Sequence, residues 1–427
     1  MKVLVVGSGG REHALAWKIA QSPRLTALHA APGGDAMAPL ATLHPDTKAG
    51  DLAGLVALAR RESIDLVVVG PEDPLAAGLG DRLREAGIAT FGPSAAAARL
   101  EGSKAFAKDF MRRHDIPTAG YAVFDTPGAA HAYVDDRGGR FVVKADGLAA
   151  GKGVAMCADA AAAHAAIDEM MGARRFGAAG DRVVVEEWLE GEEASYYAIT
   201  DGERILTLAA AQDHKRALDG DAGENTGGMG AYSPAPVVDD AVEKRILERV
   251  VHPTIRGMAA EGTPYQGVLF VGLMIDPAGD PYVIEFNVRF GDPETQPLMV
   301  RMQGDLLPIL DAAAHGRIDP ATAIGWGGAA VCVVLASGGY PRAYETGRPI
   351  EGIDAAEREA GVVVFHAGTR RAASGEGYET AGGRVLGVTA SGDSVADARD
   401  RAYAAVGRIH FEDMHLRRDI ASRALGR

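Results

Sequence analysis

The chain has 427 residues, 47% hydrophobic and 24% charged, the balance of a soluble globular protein with apolar material for about three domains. Its net charge of −14, from 44 basic and 58 acidic residues, argues against nucleic acid as a partner. No apolar run reaches the length of a membrane helix, and residues 1–7 are too short for a signal-peptide core, so no membrane association and a cytoplasmic location are expected.

Strand and helix patterns alternate from the start. Val3–Val6 reads as a buried strand, Glu12–Ala20 as a helix, and Ala27–Ala31 and Leu66–Val69 as further strands. An open, mostly parallel α/β layer ending near Phe91 is predicted. Between the first strand and helix stands Gly7-Ser8-Gly9-Gly10-Arg11-Glu12. It imitates a dinucleotide fingerprint, but Glu12 replaces the third glycine and no acid closes the second strand. Backbone N–H groups at a helix start still suit one phosphate. Gly9, Gly10, Arg11 and Glu12 are therefore candidates for a phosphorylated substrate, with Glu72, after the Leu66–Val69 strand, for sugar hydroxyls.

Ser103 introduces a helix over Lys104–His114, where Lys104 taken alone reads as an exposed first-turn residue. A smaller unit with strands at Phe141–Ala145, Val154–Met156 and Val183–Glu186 follows. Gly147-Leu148-Ala149-Ala150-Gly151-Lys152-Gly153 is one residue too short for a Walker A loop and leads into a strand, so a hairpin covering phosphates is expected. Lys144 would point beneath it. Glu186, Glu187, Leu189 and Glu192 lie where a strand runs into an acidic link, suited to a purine edge and ribose or equally to a charged linker. Asp213–Pro234 reads as a long glycine-rich loop, in which His214, Lys215 and Arg216 are three potential cations. Ala241–Met258 reads as a helix, and Val268–Ile275 and Pro281–Asn287 as a hairpin. The last segment has strands at Ala329–Ala336, Val362–Phe365 and Val385–Thr389 and a helix at Val395–Ile409. Cys157 and Cys332 lie in apolar runs and read as core residues.

The most informative run is Glu285-Phe286-Asn287-Val288-Arg289-Phe290-Gly291-Asp292-Pro293-Glu294-Thr295-Gln296. Strand alternation puts Val283, Glu285, Asn287 and Arg289 on one face and Ile284, Phe286, Val288 and Phe290 on the other. A carboxylate and an amide oxygen suit magnesium, and Arg289 beside them suits a carboxylate or a transferring phosphoryl group. An edge strand beside solvent would show the same alternation. Asp292 before Pro293 reads as an N-cap with proline at the first helical position.

These motifs resemble those of the ATP-grasp superfamily and, within it, the phosphoribosylamine–glycine ligase (glycinamide ribonucleotide synthetase) family. The resemblance covers nearly the whole chain, through residues 7–13, 100–104, 144–153, 212–216, 225–234 and 289–296, and Arg289–Glu294 carries the most specific match. It implies an N-terminal α/β substrate-binding domain at 1–102, an ATP-grasp region at 103–327 with a mobile lid at about 120–190, and a small α+β domain at 328–427. It implies that glycine and 5-phosphoribosylamine are joined at the cost of ATP through glycyl phosphate, in purine biosynthesis, by a monomer. By the same resemblance Lys104, Lys144, Gly147, Gly151, Lys152 and Gly153 bind ATP phosphates; Glu186, Glu187, Leu189 and Glu192 bind adenosine. Glu285 and Asn287 hold magnesium or manganese. Arg289, Asp292 and Lys215 serve catalysis, and Asp213, Gly228, Met229 and Arg289 contact substrate. No second metal-binding acid stands on Val268–Ile275. A grasp carboxylase using bicarbonate is the alternative; an NAD-dependent oxidoreductase and a non-catalytic nucleotide sensor fit the motifs less well.

Overall fold

A computed structural model describes residues 1–148, 153–172 and 177–425. Strands β1 (Lys2–Gly7), β2 (Ala27–Pro32), β3 (Thr42–Leu43), β4 (Leu66–Val69) and β5 (Ala89–Phe91) form one sheet in the order β3-β2-β1-β4-β5. Every pairing in it is parallel, as continuous apolar strands covered on both faces require. The first helix starts at Gly10, two residues before its predicted start.

Four antiparallel strands, β6 (Tyr121–Phe124), β7 (Phe141–Ala145), β8 (Val154–Cys157) and β9 (Val183–Glu187), form a small sheet in the order β6-β9-β7-β8. It has its own core, in which Phe141, Val143 and Ala145 meet Val183, Val185 and the helix residues Val134 and Ile167. A second antiparallel sheet runs β11-β10-β16-β17, from β10 (Glu192–Asp201), β11 (Ile205–Thr207), β16 (Gln266–Ile275) and β17 (Pro281–Asn287). Its two faces join the cores of the N-terminal layer, so these two units pack as one body.

The stretch read as one glycine-rich loop is instead structured. It holds β12 (Gln212–Asp213), the hairpin β13 (Arg216–Leu218) and β14 (Ala222–Asn225), and β15 (Gly230–Ser233). Polar, exposed side chains hid the hairpin, which owes its order to contacts with the distant C-terminal tail. Strands β18 (Met302–Gln303) and β19 (Gly325–Trp326) pair, and β20 (Ala329–Ala336) opens the last region. Strands β21 (Pro349–Ile350), β23 (Thr369–Arg371) and β24 (Tyr378–Thr380) make a small sheet. The larger one, β12-β15-β20-β25-β22, adds β22 (Val362–His366) and β25 (Arg384–Gly392). It thus draws two strands from the middle of the chain.

The helix predicted over 241–258 is continuous but widens to a π-turn at Leu247–Val251. Pro253 explains the widening: it lacks an N–H and its ring crowds the carbonyl four residues back. The final helix ends at Val406, three residues early. Both cysteines are buried, and no helix among the described residues is long and apolar enough to cross a membrane.

Where the N- and C-terminal regions meet, the His366 N–H donates to His13 Nδ1 at 3.0 Å. Burial drives the His13 imidazole from its ordinary 6.5 down to about 4. The unfolded chain therefore takes up a proton that the folded one refuses. Stability is whole above pH 6.5 and declines toward pH 4, by at most about 1.4 kcal/mol per pH unit for this group. A thermal midpoint that falls between pH 6.5 and 4.5, with a shallower fall in His13→Gln, is the expected result.

Candidate active site

Strand β17 is an edge strand whose pairing with β16 slips by one residue: Gly272 opposes Glu285, yet Leu273 opposes Val283. Ile284 is thus the extra residue of a β-bulge. The bulge reverses the alternation, so Val283 joins Phe286 and Val288 in the core instead of sharing a face with Glu285. Glu285 and Asn287 do share a face. Cross-strand pairing puts Ser195 and Gly272 in the row of Glu285, and Tyr197 and Phe270 in the row of Asn287. Gly272 leaves this face open: a Cβ there would lie 3.1 Å from Glu285 Cγ.

Glu285 is partly open to solvent but walled in by protein. Enclosure pushes its carboxyl up, and Lys215, Lys144, Lys104 and Arg289 outweigh that and hold it below the ordinary range. It is therefore an anion in a ring of cations. Asn287 is 7% exposed, and its amide nitrogen is buried without a hydrogen-bond partner. One carboxylate and one amide oxygen on the same face fit a hard divalent cation that draws its other ligands from phosphate and water.

Lys104, in the first turn of the helix Lys104–Arg113, reaches back to the Gly147 carbonyl at 2.8 Å. Lys144 lies on the opposite face of β7 from the small sheet's core, as its alternation predicted. Its ammonium donates to the Ile284 carbonyl at 2.9 Å, the oxygen that the bulge turns outward, and pairs with Glu186 at 2.9 Å. Gly147 has φ +132° and packs against Ala179, and Gly153 is buried beside β8. Gly151 and Lys152 lie outside the described residues.

Glu186, expected on adenosine, turns its side chain to two lysines. Its carboxylate is 4% exposed and lies between Lys144 and Lys108, the latter at 2.8 Å. Lys108 also donates to Thr118 Oγ1 at 2.7 Å, and Thr118 in turn to the Val283 carbonyl at 2.6 Å. This buried relay ties the small sheet to β17. Sequence reading missed Lys108 and Thr118; the one available signal was that Lys108 stands one turn from Lys104. Glu187 is exposed, 3.6 Å from Arg137, with its N–H on the Gly120 carbonyl. Leu189 is half-buried, and Glu192 opens β10 opposite Ile275.

Arg289 lies just past the end of β17, with Glu72 at 3.1 Å and Glu101 at 3.0 Å. Glu101 also accepts the Val288 N–H at 2.7 Å, so it fixes the backbone between Asn287 and Arg289. Burial, together with Glu72 and Glu285, raises the Glu101 carboxyl to about 7 against the pull of Arg289. Arg11 joins the same cluster, 3.9 Å from Glu72 and 3.1 Å from the Phe290 carbonyl. Glu72, expected on sugar hydroxyls, is committed here to arginines.

Glu12, expected on substrate, turns back into its own loop. Its carboxylate takes the Gly9 N–H at 2.7 Å and Arg11 Nε at 2.6 Å. It is wedged between Gly7 and Gly70, where a Cβ would come within 2.6 Å and 2.3 Å of it. The third-glycine position thus carries an internal cap, with Gly9 half-buried and Gly10 buried against Gln296.

Asp292 caps no helix: the Asp292–Pro293 peptide is cis, and the helix begins at Thr295. Its carboxylate pairs with Arg384 at 3.1 Å and accepts Gln296 Nε2 at 2.8 Å. A Cβ on Gly9 would lie 3.9 Å from Asp292, and one on Gly10 2.8 Å from Gln296. The Arg289–Gln296 run therefore links β17 physically to the N-terminal loop. Arg384, another residue that sequence reading missed, also binds the Gly227 and Asp292 carbonyls at 2.6 and 2.7 Å.

Of the three expected cations near β12, Lys215 alone reaches the cleft, 3.1 Å from Glu193 and 3.9 Å from Glu285. His214 is buried and neutral, driven down to about 3 by desolvation, and accepts the Ala421 N–H. Arg216 serves its hairpin through the Gly223 carbonyl. Met229 contributes nothing to a substrate site: its side chain is in the C-terminal core, its N–H on His214 and its carbonyl on Val334. Gly228, with φ +111°, presses on Pro293, and Asp213 is buried at the end of β12.

Two antiparallel sheets meeting across lysines and a Glu-x-Asn strand, flanked by a parallel α/β layer, define an ATP-grasp enzyme. The family models for the N domain, the ATP-grasp (A) domain and the C domain of phosphoribosylglycinamide synthetase match residues 1–101, 102–295 and 330–423. The chain belongs to this family and is an ATP-dependent ligase of purine biosynthesis. It is 56% identical over 429 residues to the phosphoribosylamine–glycine ligase of Allochromatium vinosum, covering 100% of this chain and 99% of that one. To that of Escherichia coli K12 it is 53% identical, again over 100% and 99% of the two chains. The crystal structure of phosphoribosylamine–glycine ligase from Thermotoga maritima superposes with a TM-score of 0.86 at 34% identity, covering 99% and 100%. A biotin carboxylase from Campylobacter jejuni superposes at 0.74 with 14% identity, covering 97% and 92%, which is a likeness of fold alone.

Proposed function

We propose that the cleft joins glycine to 5-phosphoribosylamine in two steps. The glycine carboxylate attacks the γ-phosphorus of ATP, giving glycyl phosphate and ADP. The sugar amine then attacks the acyl carbon and expels phosphate, giving glycinamide ribonucleotide. No enzyme nucleophile is required, so catalysis rests on placement and charge.

The observation that carries this reading is the continuity of Arg289–Gln296 from the metal strand to the glycine loop, which brings a triphosphate end and a sugar-phosphate end to one segment. Lys104 and Lys144, with Gly147 and Gly153, suit ATP phosphates. The Glu187–Leu189 backbone and Glu192 suit adenosine, while Glu186 holds the lysines in place. Glu285 and Asn287 would hold magnesium or manganese, which neutralises phosphate charge when bound. Arg289 and Lys215 are placed to steady the acyl phosphate, and Asp292 to hold Gly9 and Gly10 toward the sugar phosphate. The reading places a monomer in the cytoplasm.

ADP release is expected with glycine and with no other amino acid, when phosphoribosylamine is generated in situ. Bicarbonate should be inert, and bicarbonate-dependent release would favour the carboxylase reading. The small sheet's separate core suits a lid that shields glycyl phosphate from water. Saturating ATP and magnesium should slow amide exchange across residues 141–157 by about tenfold or more; unchanged exchange there would count against closure.

A further inference from the structure

Two buried carboxyl groups are left over by the steps above. Asp213 ends β12 and is 8% exposed; Glu294 follows the Asp292–Pro293 turn and is 3% exposed. Ser195, on β10, donates its hydroxyl to Glu294 at 3.0 Å. The Asp213 carboxylate accepts no hydrogen bond from the described residues. The groups facing it are Lys215 from its own segment, Glu193 on β10, Glu294, and Arg423 from the C-terminal tail. Burial raises both carboxyls above their ordinary range, and Glu193 and Glu294 add to the rise of Asp213 against Lys215 and Arg423. Each carboxyl therefore holds a proton more readily than an exposed one does.

Their place in the cleft gives one of them a use. Lys215, two residues from Asp213, reaches Glu285 at the phosphoryl-transfer end. Asp292, two residues from Glu294, lies against Gly9 at the sugar end. On the sheet, Ser195 and Glu285 share a row across β10, β16 and β17, about 10 Å apart by strand spacing. The two carboxyls are thus carried by segments that each reach one end of the cleft, Asp213 by that of Lys215 and Glu294 by that of Asp292, and an amide joining glycine to the sugar must form between those ends.

We propose that Asp213 is the general base of the second step. This rests on the two-step reading. The amine lone pair forms the C–N bond, the bond from acyl carbon to phosphate oxygen breaks with its electron pair leaving on phosphate, and the proton shed by the new ammonium nitrogen passes to the Asp213 carboxylate. The first step releases no proton from nitrogen and does not use Asp213.

The test divides the steps. Hydroxylamine is a stronger nucleophile than the sugar amine and traps glycyl phosphate as the hydroxamate. Asp213→Asn is expected to make glycyl hydroxamate from glycine and ATP within about fivefold of the parent, and glycinamide ribonucleotide about a hundredfold or more slowly. Asp213→Glu should restore part of the amide rate. The ratio of the two rates is the readout, so loss of folded enzyme scales both and leaves it unchanged. An equal fall in both would make Asp213 a prop for Lys215 and overturn the proposal, as would an amide rate within about threefold of the parent. A parent enzyme that makes no hydroxamate at all would overturn the two-step reading, and this proposal with it.

Discussion

Replacing Glu285 by glutamine is expected to cut glycine-dependent ADP release by about a thousandfold or more while the thermal midpoint moves by only about three degrees. The substitution keeps shape and removes charge. Glu285 is on an edge strand, opposite a glycine, partly open to solvent, with no hydrogen bond from the described residues to hold the fold. Its negative charge is what Lys215, Lys144 and Lys104 surround. Without it, the oxygen donors facing a cation fall to neutral amides, too weak to hold a hard ion against water. Turnover at saturating ATP and metal measures the effect, with calorimetry as the folding control. A variant within tenfold of the parent would remove Glu285 from the metal site.

Much of this was legible in the sequence because buried strands carry a signal of their own. Val3–Val6, Leu66–Val69 and Ala329–Ala336 are continuous apolar runs, and the structure puts strands there within two residues of the expected ends. Glu285 and Asn287 were found because period-two alternation survives on their side of the bulge. The bulge itself was invisible: Ile284 is apolar, and an extra apolar residue leaves no mark on a pattern of apolar residues. Lys108, Glu101 and Arg384 were missed for a different reason. Their partners Glu186, Arg289 and Asp292 are far away in the chain, and no local pattern distinguishes a charge that will be paired from one that will be solvated. The same blindness made His214 look cationic, since only burial among Arg417 and Arg423 makes it neutral. Spacing brings Glu12 and Asp292 to neighbouring loops, but which way a short acidic side chain turns is decided by tertiary neighbours such as Gly70 and Arg384.

Arg417→Ala is expected to destabilise the C-terminal region by about 3–5 kcal/mol and to lower turnover with it. Arg417 is 0% exposed, and its guanidinium binds Asp419 at 2.6 Å, Asp221 at 2.9 Å and the Arg216 carbonyl at 3.1 Å. Truncation strips Asp419 of its guanidinium and leaves Asp221 to Arg423, at 2.7 Å. Asp221 is nearly half exposed and solvent screens its share, so the estimate leans on the buried guanidinium itself. The tail that Arg417 anchors also presents the Ala421 N–H to His214 and Arg423 to the Asp213 carbonyl. It therefore backs the segment carrying Asp213 and Lys215, and that is why activity should fall along with stability. The acid limb gives an independent check. Arg423 and Arg417 hold Asp221 below its ordinary range, and Arg417 does the same for Asp419. Carboxyls lowered in this way stabilise the fold above their unfolded pKa, about 4, and lose that contribution as pH falls through the folded value. The parent should lose stability steeply below pH 4, and Arg417→Ala, having lost it already, should show a shallower slope there. Urea unfolding followed at pH 7 and at pH 3.5 measures both effects; a midpoint at pH 7 equal to the parent's would show that the clasp carries no stability.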